Sequence, residues 1–511
     1  MQNKKYLRRQ NSDFALIFRG HNFSYEVQAV AKVFIPGIRF RLCEDGSIPE
    51  DCKDYILTEI RNSENPENSK ILNLTIFYHN QELRHSREVP ENSERDVLEY
   101  ELCVLLYSGL QELTGYQPPW GMLTGIRPVR KVLQELEKGL TPEQACVNLQ
   151  AKYFISDEKI RIALATALVQ QPILPHDAKQ IGFYIAIPFC PTRCSYCSFV
   201  SHSISTENAR KLIPAYVRKL CEEIRMFGKI IRKFDLSVQS VYIGGGTPTA
   251  ISAQQLGEIM QAVQDSVDLQ NVREYTVEAG RADTITKEKL QVIYDMGASR
   301  ISINPQTMQD AVLQAVGRCH TAQQVTDAFL LARETGFTDI NMDLIAGLPA
   351  DDCAGFADTL RKVLALSPDS ITVHALTLKR SADLYHAGDV KNSEKFKIPE
   401  IPEIEQMLRL SAKMLPENSY RPYYLYRQKN TIGNLENIGY AKPCKENLYN
   451  ILIMDETQTI LGAGCGASNK IIQRDGDITR IMNYKFPYEY IHDFEKLMQK
   501  KAGIIRELEK L

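Results

Sequence analysis

Three cysteines crowd into the stretch FYIAIPFCPTRCSYCSFVSH (residues 183–202): Cys190, Cys194 and Cys197. Thiolates are soft ligands, and three on one loop can converge on a metal centre. A structural zinc site takes four ligands, usually as two pairs; His202 is the one further candidate in the loop. An iron–sulfur cubane is normally held by four cysteines, so three leave one iron open to a small molecule. A catalytic cluster, a structural zinc and plain thiols are the alternatives at this point. The other cysteines among the chain's 12 stand apart from this loop. No export signal is recognisable, so most are expected to be reduced core residues.

The loop follows the strand-like run FYIAI. Further β-type runs are SVQSVYI, REYTVEA, RISIN, DINMDLI and SITVHAL, and helical stretches such as NARKLIPAYVRKLCEEIRMF and TAQQVTDAFLLARETG alternate with them. Strand–helix alternation with short connections implies a parallel sheet covered by helices. Six units are too few for an eight-fold barrel; a doubly wound sheet and an open, partial barrel both fit. Either architecture puts chemistry at the C-terminal ends of the strands, where the cysteine loop falls. Other strand ends carry Gly244, Gly245 and Gly246, then Glu278, Gln306 and Asp343, with Arg318 and His320 in GRCH. The glycine triple allows a tight turn or close backbone approach to a ligand. Asp343 suits a ribose hydroxyl.

A length of 511 residues implies two or three domains. Hydrophobic residues make up 44% and charged residues 24%, as in ordinary globular proteins. The net charge of −2 supplies no basic field for nucleic acid or an anionic membrane. No apolar run approaches a membrane span, and the cytoplasm is the expected compartment. An N-terminal α+β domain is expected over 1–170. Its β-type runs are FALIFRG, YEVQAVAKVFIPGIRF and ILNLTIFYHN; ERDVLEYELCVLLYSGLQEL and SDEKIRIALATALVQ are helical. QQPILPHDAKQ reads as a linker. The alternating segment occupies 181–400, and a smaller C-terminal domain 401–511. The latter holds a helix (IPEIEQMLRLSAKML), a tyrosine- and arginine-rich stretch (SYRPYYLYRQKN) and a strand–turn–strand unit. The turn, GAGCGAS, could hold a phosphate or be a plain turn.

The spacing Cys190-x3-Cys194-x2-Cys197 resembles the signature of the radical S-adenosylmethionine (SAM) family. With IGGGTPT, TVEA, INPQ, GRCHT and DLIAGLP, in order from about residue 183 to 378, the chain is similar to the oxygen-independent coproporphyrinogen III oxidase branch. Its long N-terminal region resembles the coproporphyrinogen dehydrogenase subgroup. The resemblance implies an α/β fold: a partial (β/α)6 radical SAM barrel with the two extra domains. It implies a [4Fe-4S] cluster on Cys190, Cys194 and Cys197, with SAM, one or two molecules, as cofactor. The reduced cluster cleaves SAM, and the resulting 5′-deoxyadenosyl radical abstracts a hydrogen atom. Implied partners are a tetrapyrrole substrate, coproporphyrinogen III or haem, and a reduced flavodoxin- or ferredoxin-type electron donor.

By the same resemblance Tyr184, six residues before the first cysteine, lies near the sulfonium and is the implied catalytic residue. Gly245 and Glu278 match contacts to a first SAM. Tyr196, Gly246, Thr247, Gln306, Arg318 and Asp343 match contacts to a second. The best-known oxidases carry a fourth cysteine where this chain has Phe199; the related haem-chaperone branch has an aromatic residue there. Near Thr377 the chain also departs from the oxidase pattern. The implied activity is oxidative decarboxylation of two propionates to vinyls, giving protoporphyrinogen IX in haem biosynthesis. Haem carriage on a retained cluster and SAM site is the alternative, as is radical chemistry on another substrate. Propionates need cationic partners and a flat apolar wall. Arg421, Arg427 and Lys429, among Tyr423, Tyr424 and Tyr426, are therefore expected to help cover the substrate; a packed edge with solvated charges is the competing expectation.

Overall fold

The computed structural model describes residues 14–35, 38, 40–63, 69–175, 177–199, 201–379, 382–384, 397–428 and 435–510. Contacts divide the chain into two compact units, Met1–Leu164 and Ala165–Leu511.

The first unit is built on a five-stranded sheet: β1 (Phe14–Arg19), β2 (Arg41–Cys43), β3 (Asp54–Asn62), β4 (Ser69–Tyr78) and β5 (Gln81–Pro90). Their order is β2-β1-β3-β4-β5, parallel across β2, β1 and β3 and antiparallel thereafter. Helices Ser24–Phe34 and Arg95–Thr114 contribute to one apolar core with the sheet. YEVQAVAKVF, expected as a strand, is helical. Val27, Val30, Ala31 and Phe34 are its buried residues, and that i, i+3, i+4, i+7 spacing makes a helical stripe rather than a pleat. β-branched composition suggested a strand, but periodicity decides the element.

The second unit carries an 11-stranded sheet, and its parallel centre is the alternating segment. The six strands are β6 (Gln180–Ile187), β9 (Ser237–Gly245), β10 (Glu274–Gly280), β11 (Arg300–Ile303), β12 (Ile340–Ala346) and β13 (Ser370–Ala375). Two short strands, β7 (Phe189–Cys190) and β8 (His202–Ser203), lie between β6 and β9. The parallel strands stand side by side in chain order, β6-β9-β10-β11-β12-β13. A doubly wound sheet reverses direction at a switch point. Here no reversal occurs, so right-handed crossovers advance one way, as in a barrel left open.

The expected third domain, 401–511, is not a separate unit. Its strands β14 (Arg421–Arg427) and β15 (Glu436–Ala441) extend the β13 edge antiparallel. At the other edge β16 (Thr459–Ala463) pairs parallel with β6, followed by antiparallel β17 (Ser468–Ile472) and β18 (Ile478–Met482). The segment covers both exposed edges of the six-stranded centre, and unpaired edge groups are what such additions satisfy.

The glycine loop after β16 does not present its amides as an anion cradle. Gly464 N–H donates to Glu223 Oε2 (2.8 Å) and Cys465 N–H to the Tyr216 hydroxyl (2.9 Å). Glu223 is fully buried and also accepts from Tyr490 (2.6 Å), Asn483 (2.9 Å) and Lys501 Nζ (2.7 Å). Lys501 donates to Gly462 O as well (3.0 Å). Removing one partner of a buried pair leaves an uncompensated charge, at about 3–5 kcal/mol. Lys501→Met is therefore expected to lower the urea unfolding midpoint markedly. Adding Glu223→Gln should recover part of that loss.

Candidate active site

The loop that leaves β6 is pinned at both ends. β7 pairs parallel with β8. His202 N–H donates to Pro188 O (2.7 Å) and Ile204 N–H to Cys190 O (2.9 Å), closing the loop around the three cysteines. Cys197 N–H turns back to Cys194 O (3.0 Å). Cys190, Cys194 and Cys197 line one cavity of about 360 Å3 at the C-terminal ends of the strands. His202 does not line it and packs edge-on against Phe486.

The glycine turn after β9 is stitched to this loop. Gly246 N–H donates to Ile187 O (2.8 Å) and Thr247 N–H to Phe189 O (2.7 Å). Gly245 holds φ +111°, a conformation that side chains rarely adopt. A Cβ at Gly246 would stand 2.6 Å from Phe189 O, so only glycine lets the two loops meet. Thr247 Oγ1 lies 3.5 Å from Cys190 Sγ.

Glu278 at the end of β10 is the acid of the cavity. Tyr242 O–H donates to its Oε1 at 2.5 Å. Burial pushes its pKa up to about 7; the Tyr242 bond opposes the rise and Asp343's charge adds to it. Tyr242 stacks on Tyr449 (4.4 Å between ring centres), which stacks on Tyr184 (5.9 Å). This tyrosine stack forms one wall. Burial holds the Tyr184 hydroxyl well above the ordinary phenol range.

Gln306 sits at φ +68°, exchanging backbone hydrogen bonds with Asp343 O (2.9 Å) and Ile345 N (3.0 Å). Its Oε1 is buried without a partner. Arg318 is buried and donates to the Tyr196 hydroxyl (2.9 Å) and Asn304 O (2.7 Å). Asp343 Oδ1 accepts from Asn341 Nδ2 (2.8 Å). Arg281 grips Asp283 with two bonds (2.9 and 2.7 Å) and reaches the cysteine loop at Thr192 Oγ1 (2.6 Å). His320 is buried 3.6 Å from Asp283 and stays outside the cavity lining.

All twelve residues expected for metal and cofactor line this single cavity: the three cysteines, Tyr184, Tyr196, Gly245, Gly246, Thr247, Glu278, Gln306, Arg318 and Asp343. Thr377 lines it too. Of the expected substrate cations, Arg421 and Arg427 do not. Arg421 is exposed at the start of β14, and Arg427 is 2% exposed and electrostatically coupled to Glu436. Strand alternation explains the difference: Tyr424, Tyr426 and Gln428 face the cavity, so Tyr423, Leu425 and Arg427 face away. Lys429 lies outside the described residues. Sequence reasoning also missed Tyr242, Asn341, His374, Asn437 and Asn450. A usable signal was polar residues at every second position of otherwise apolar strands, as in Asn341–Asp343 and Thr372–His374.

The donors fit a cluster better than a zinc ion. Among the described residues no three His, Cys, Asp or Glu side chains converge on a single ion. A tetrahedral zinc would also want a fourth protein ligand, and the loop supplies none to the cavity: His202 stays outside the lining, and the position two residues past Cys197 is Phe199, a carbon side chain. Burial raises the Cys190 thiol and pushes Cys197 up to about 11. A free nucleophile would need the opposite shift, whereas metal coordination deprotonates a thiol outright.

Residues 184–363 match the Radical SAM superfamily. The chain is 41% identical over 404 residues to the oxygen-independent coproporphyrinogen-III oxidase-like protein HemZ of Bacillus subtilis, covering 78% of this chain and 79% of that protein. The chain belongs to the radical SAM family, in its oxygen-independent coproporphyrinogen III oxidase-like branch. This radical SAM protein is also 29% identical to the heme chaperone HemW of Haemophilus influenzae, over 61% of this chain and 76% of that one. The solved coproporphyrinogen III oxidase HemN of Escherichia coli superposes with a TM-score of 0.51 at 22% identity, covering 65% of this chain and 72% of the other. That likeness supports the fold. Family membership brings a [4Fe-4S] cluster and SAM as cofactors. No helix among the described residues is long and apolar enough to cross a membrane.

Proposed function

We propose that this protein decarboxylates two propionates of coproporphyrinogen III oxidatively to vinyls, giving protoporphyrinogen IX and carbon dioxide in oxygen-independent haem biosynthesis. One observation carries the reading. The cavity that gathers the three thiols and Glu278 continues into a wall of Tyr424, Tyr426, His374 and Asn437, so a second molecule has polar and aromatic partners beside the cofactors. The name of the Bacillus relative supplies the substrate.

Cys190, Cys194 and Cys197 would hold three irons, leaving the fourth for SAM. When bound, cluster and SAM supply hydrogen-atom abstraction. Glu278, fixed by Tyr242, would accept from the SAM amino group, and Tyr184 would lie along the sulfonium. Tyr196, Gly246, Thr247, Gln306, Arg318 and Asp343 would hold a second SAM, with Gln306 Oε1 gaining the partner it lacks. SAM stoichiometry by anaerobic equilibrium dialysis separates one molecule from two. Phe199, 68% exposed on the cavity lining, would shield the cofactors from water. For each propionate, loss of one hydrogen atom from the β-carbon and one electron to an external acceptor releases carbon dioxide and leaves the vinyl. A reduced flavodoxin- or ferredoxin-type protein would reduce the cluster.

The reading is tested by anaerobic incubation of reconstituted protein with SAM, a reductant and either coproporphyrinogen III or haem. Vinyl products and carbon dioxide are expected. Stoichiometric haem retention without decarboxylation would favour carriage, the second reading that Phe199 and the chaperone relative support.

A further inference from the structure

The β13–β15 end of the cavity contains groups that the cofactor roles above leave unused. Asn437 on β15 is 1% exposed and lines the cavity. Its Oδ1 accepts from the backbone N–H of Ala375 (2.9 Å). A backbone N–H can only donate, so this bond fixes which way the amide points. His374 lies beside the Asn437 side chain, an interaction that favours its charged ring. The amide nitrogen is left as a buried donor without a partner. Buried amide donors are seldom left unsatisfied, and each exception needs an explanation.

Neighbouring groups point the same way. The Tyr426 hydroxyl oxygen accepts from Gln428 Nε2 (2.9 Å), which leaves the hydroxyl proton to donate. His374, Tyr426 and Gln428 line the cavity with Asn437. A subsite rich in N–H and O–H donors calls for an acceptor with several lone pairs, which a carboxylate provides.

We propose that Asn437 Nδ2, with His374 and Tyr426, forms a subsite that receives a ligand carboxylate. The propionate form of this inference rests on the proposed coproporphyrinogen reading; a SAM carboxylate presents the same chemistry. Burial lowers the His374 pKa while Asp343's charge opposes that fall. An incoming carboxylate adds to Asp343's effect, so the ring can carry the compensating proton.

The test uses reconstituted full-length protein under anaerobic conditions and three ligands: coproporphyrin III, its tetramethyl ester and SAM. Asn437→Asp keeps the acceptor for Ala375 N–H and replaces the orphan donor with an oxygen that repels carboxylates. Wild-type protein is expected to bind the acid on the order of tenfold or more tighter than the ester. Asn437→Asp should erase that preference while leaving ester and SAM affinity unchanged. A comparable loss confined to SAM would support the subsite and assign it to the SAM carboxylate. A folded variant with unchanged affinity for all three ligands would overturn the proposal. If wild-type protein binds neither tetrapyrrole, the coproporphyrinogen reading falls and the SAM arm alone decides the subsite. Should Asn437→Asp not fold, His374→Phe serves in the same measurements, where unchanged affinities again overturn it.

Discussion

Cys194→Ala protein, reconstituted with iron and sulfide, is expected to keep its fold and lose both the cluster absorption and SAM cleavage. Cys194 stands at the centre of the loop, and among the described residues three thiols line the cavity, those of Cys190, Cys194 and Cys197. Neither His202, outside the lining, nor Phe199 can replace it. Loss of an outer partner of a metal site costs about 10–100-fold in affinity or activity. Loss of a ligand that is one of three should exceed that range and take deoxyadenosine formation to background. The loop's fold rests on the β7–β8 pair and on backbone bonds rather than on the thiol. Circular dichroism should therefore match the wild type while iron content falls. Full cluster content in Cys194→Ala would remove the ligand assignment.

Glu278→Gln is expected to weaken SAM binding by roughly 10–100-fold, the scale of a charge-assisted hydrogen bond at about 1.5–3 kcal/mol. Glutamine keeps the shape of the side chain and removes the charge that, in the proposed contact, would attract the SAM ammonium. Burial raises the Glu278 pKa to about 7 in the free protein. In the proposed contact the carboxylate would be the binding form, so SAM affinity should be low below pH 7, rise through it and level off above. The Tyr242 hydrogen bond stabilises the ionised form. Tyr242→Phe should therefore move the midpoint to higher pH, and Glu278→Gln should flatten the profile. Equilibrium dialysis with radiolabelled SAM across pH measures all three. A wild-type profile without a midpoint near pH 7 would contradict the role given to Glu278.

Much of the second unit could be read from one sequence. The six strands are the apolar runs named from their alternation with helices, and their C-terminal ends meet at the cavity. Alternation alone left a doubly wound sheet and a partial barrel open, because the choice depends on which strands are neighbours rather than on where they lie; the family resemblance implied the partial barrel, and the strand order agrees. The C-terminal segment misled for a related reason. Its helix and strands resemble an autonomous unit locally, yet β14–β15 and β16–β18 complete the two edges of the central sheet. In the first unit, YEVQAVAKVF read as a strand because valine and phenylalanine favour sheets, while the spacing of its buried residues makes a helix.

The site was legible where residues follow a motif and illegible where a strand's phase decides. Cys190, Glu278 and Asp343 could be named because they fall in the motifs FCPTRCSYC, TVEA and DLIAGLP, although Asp343 stands at the middle of β12 rather than at its end. Arg427 was expected to meet substrate, but one residue along a strand reverses the face, and Tyr426 and Gln428 line the cavity instead. His374 and Asn437 belong to adjacent strands, β13 and β15, separated by 63 positions in the chain, so their meeting in the cavity left no local trace.

The most direct test of the central claim follows one atom. Coproporphyrinogen III deuterated at the β-carbons of its propionates is incubated anaerobically with reconstituted protein, SAM and reductant. The account predicts deuterium in 5′-deoxyadenosine, with loss of two carboxyl groups from the tetrapyrrole. Deoxyadenosine without deuterium beside an unchanged tetrapyrrole would contradict it.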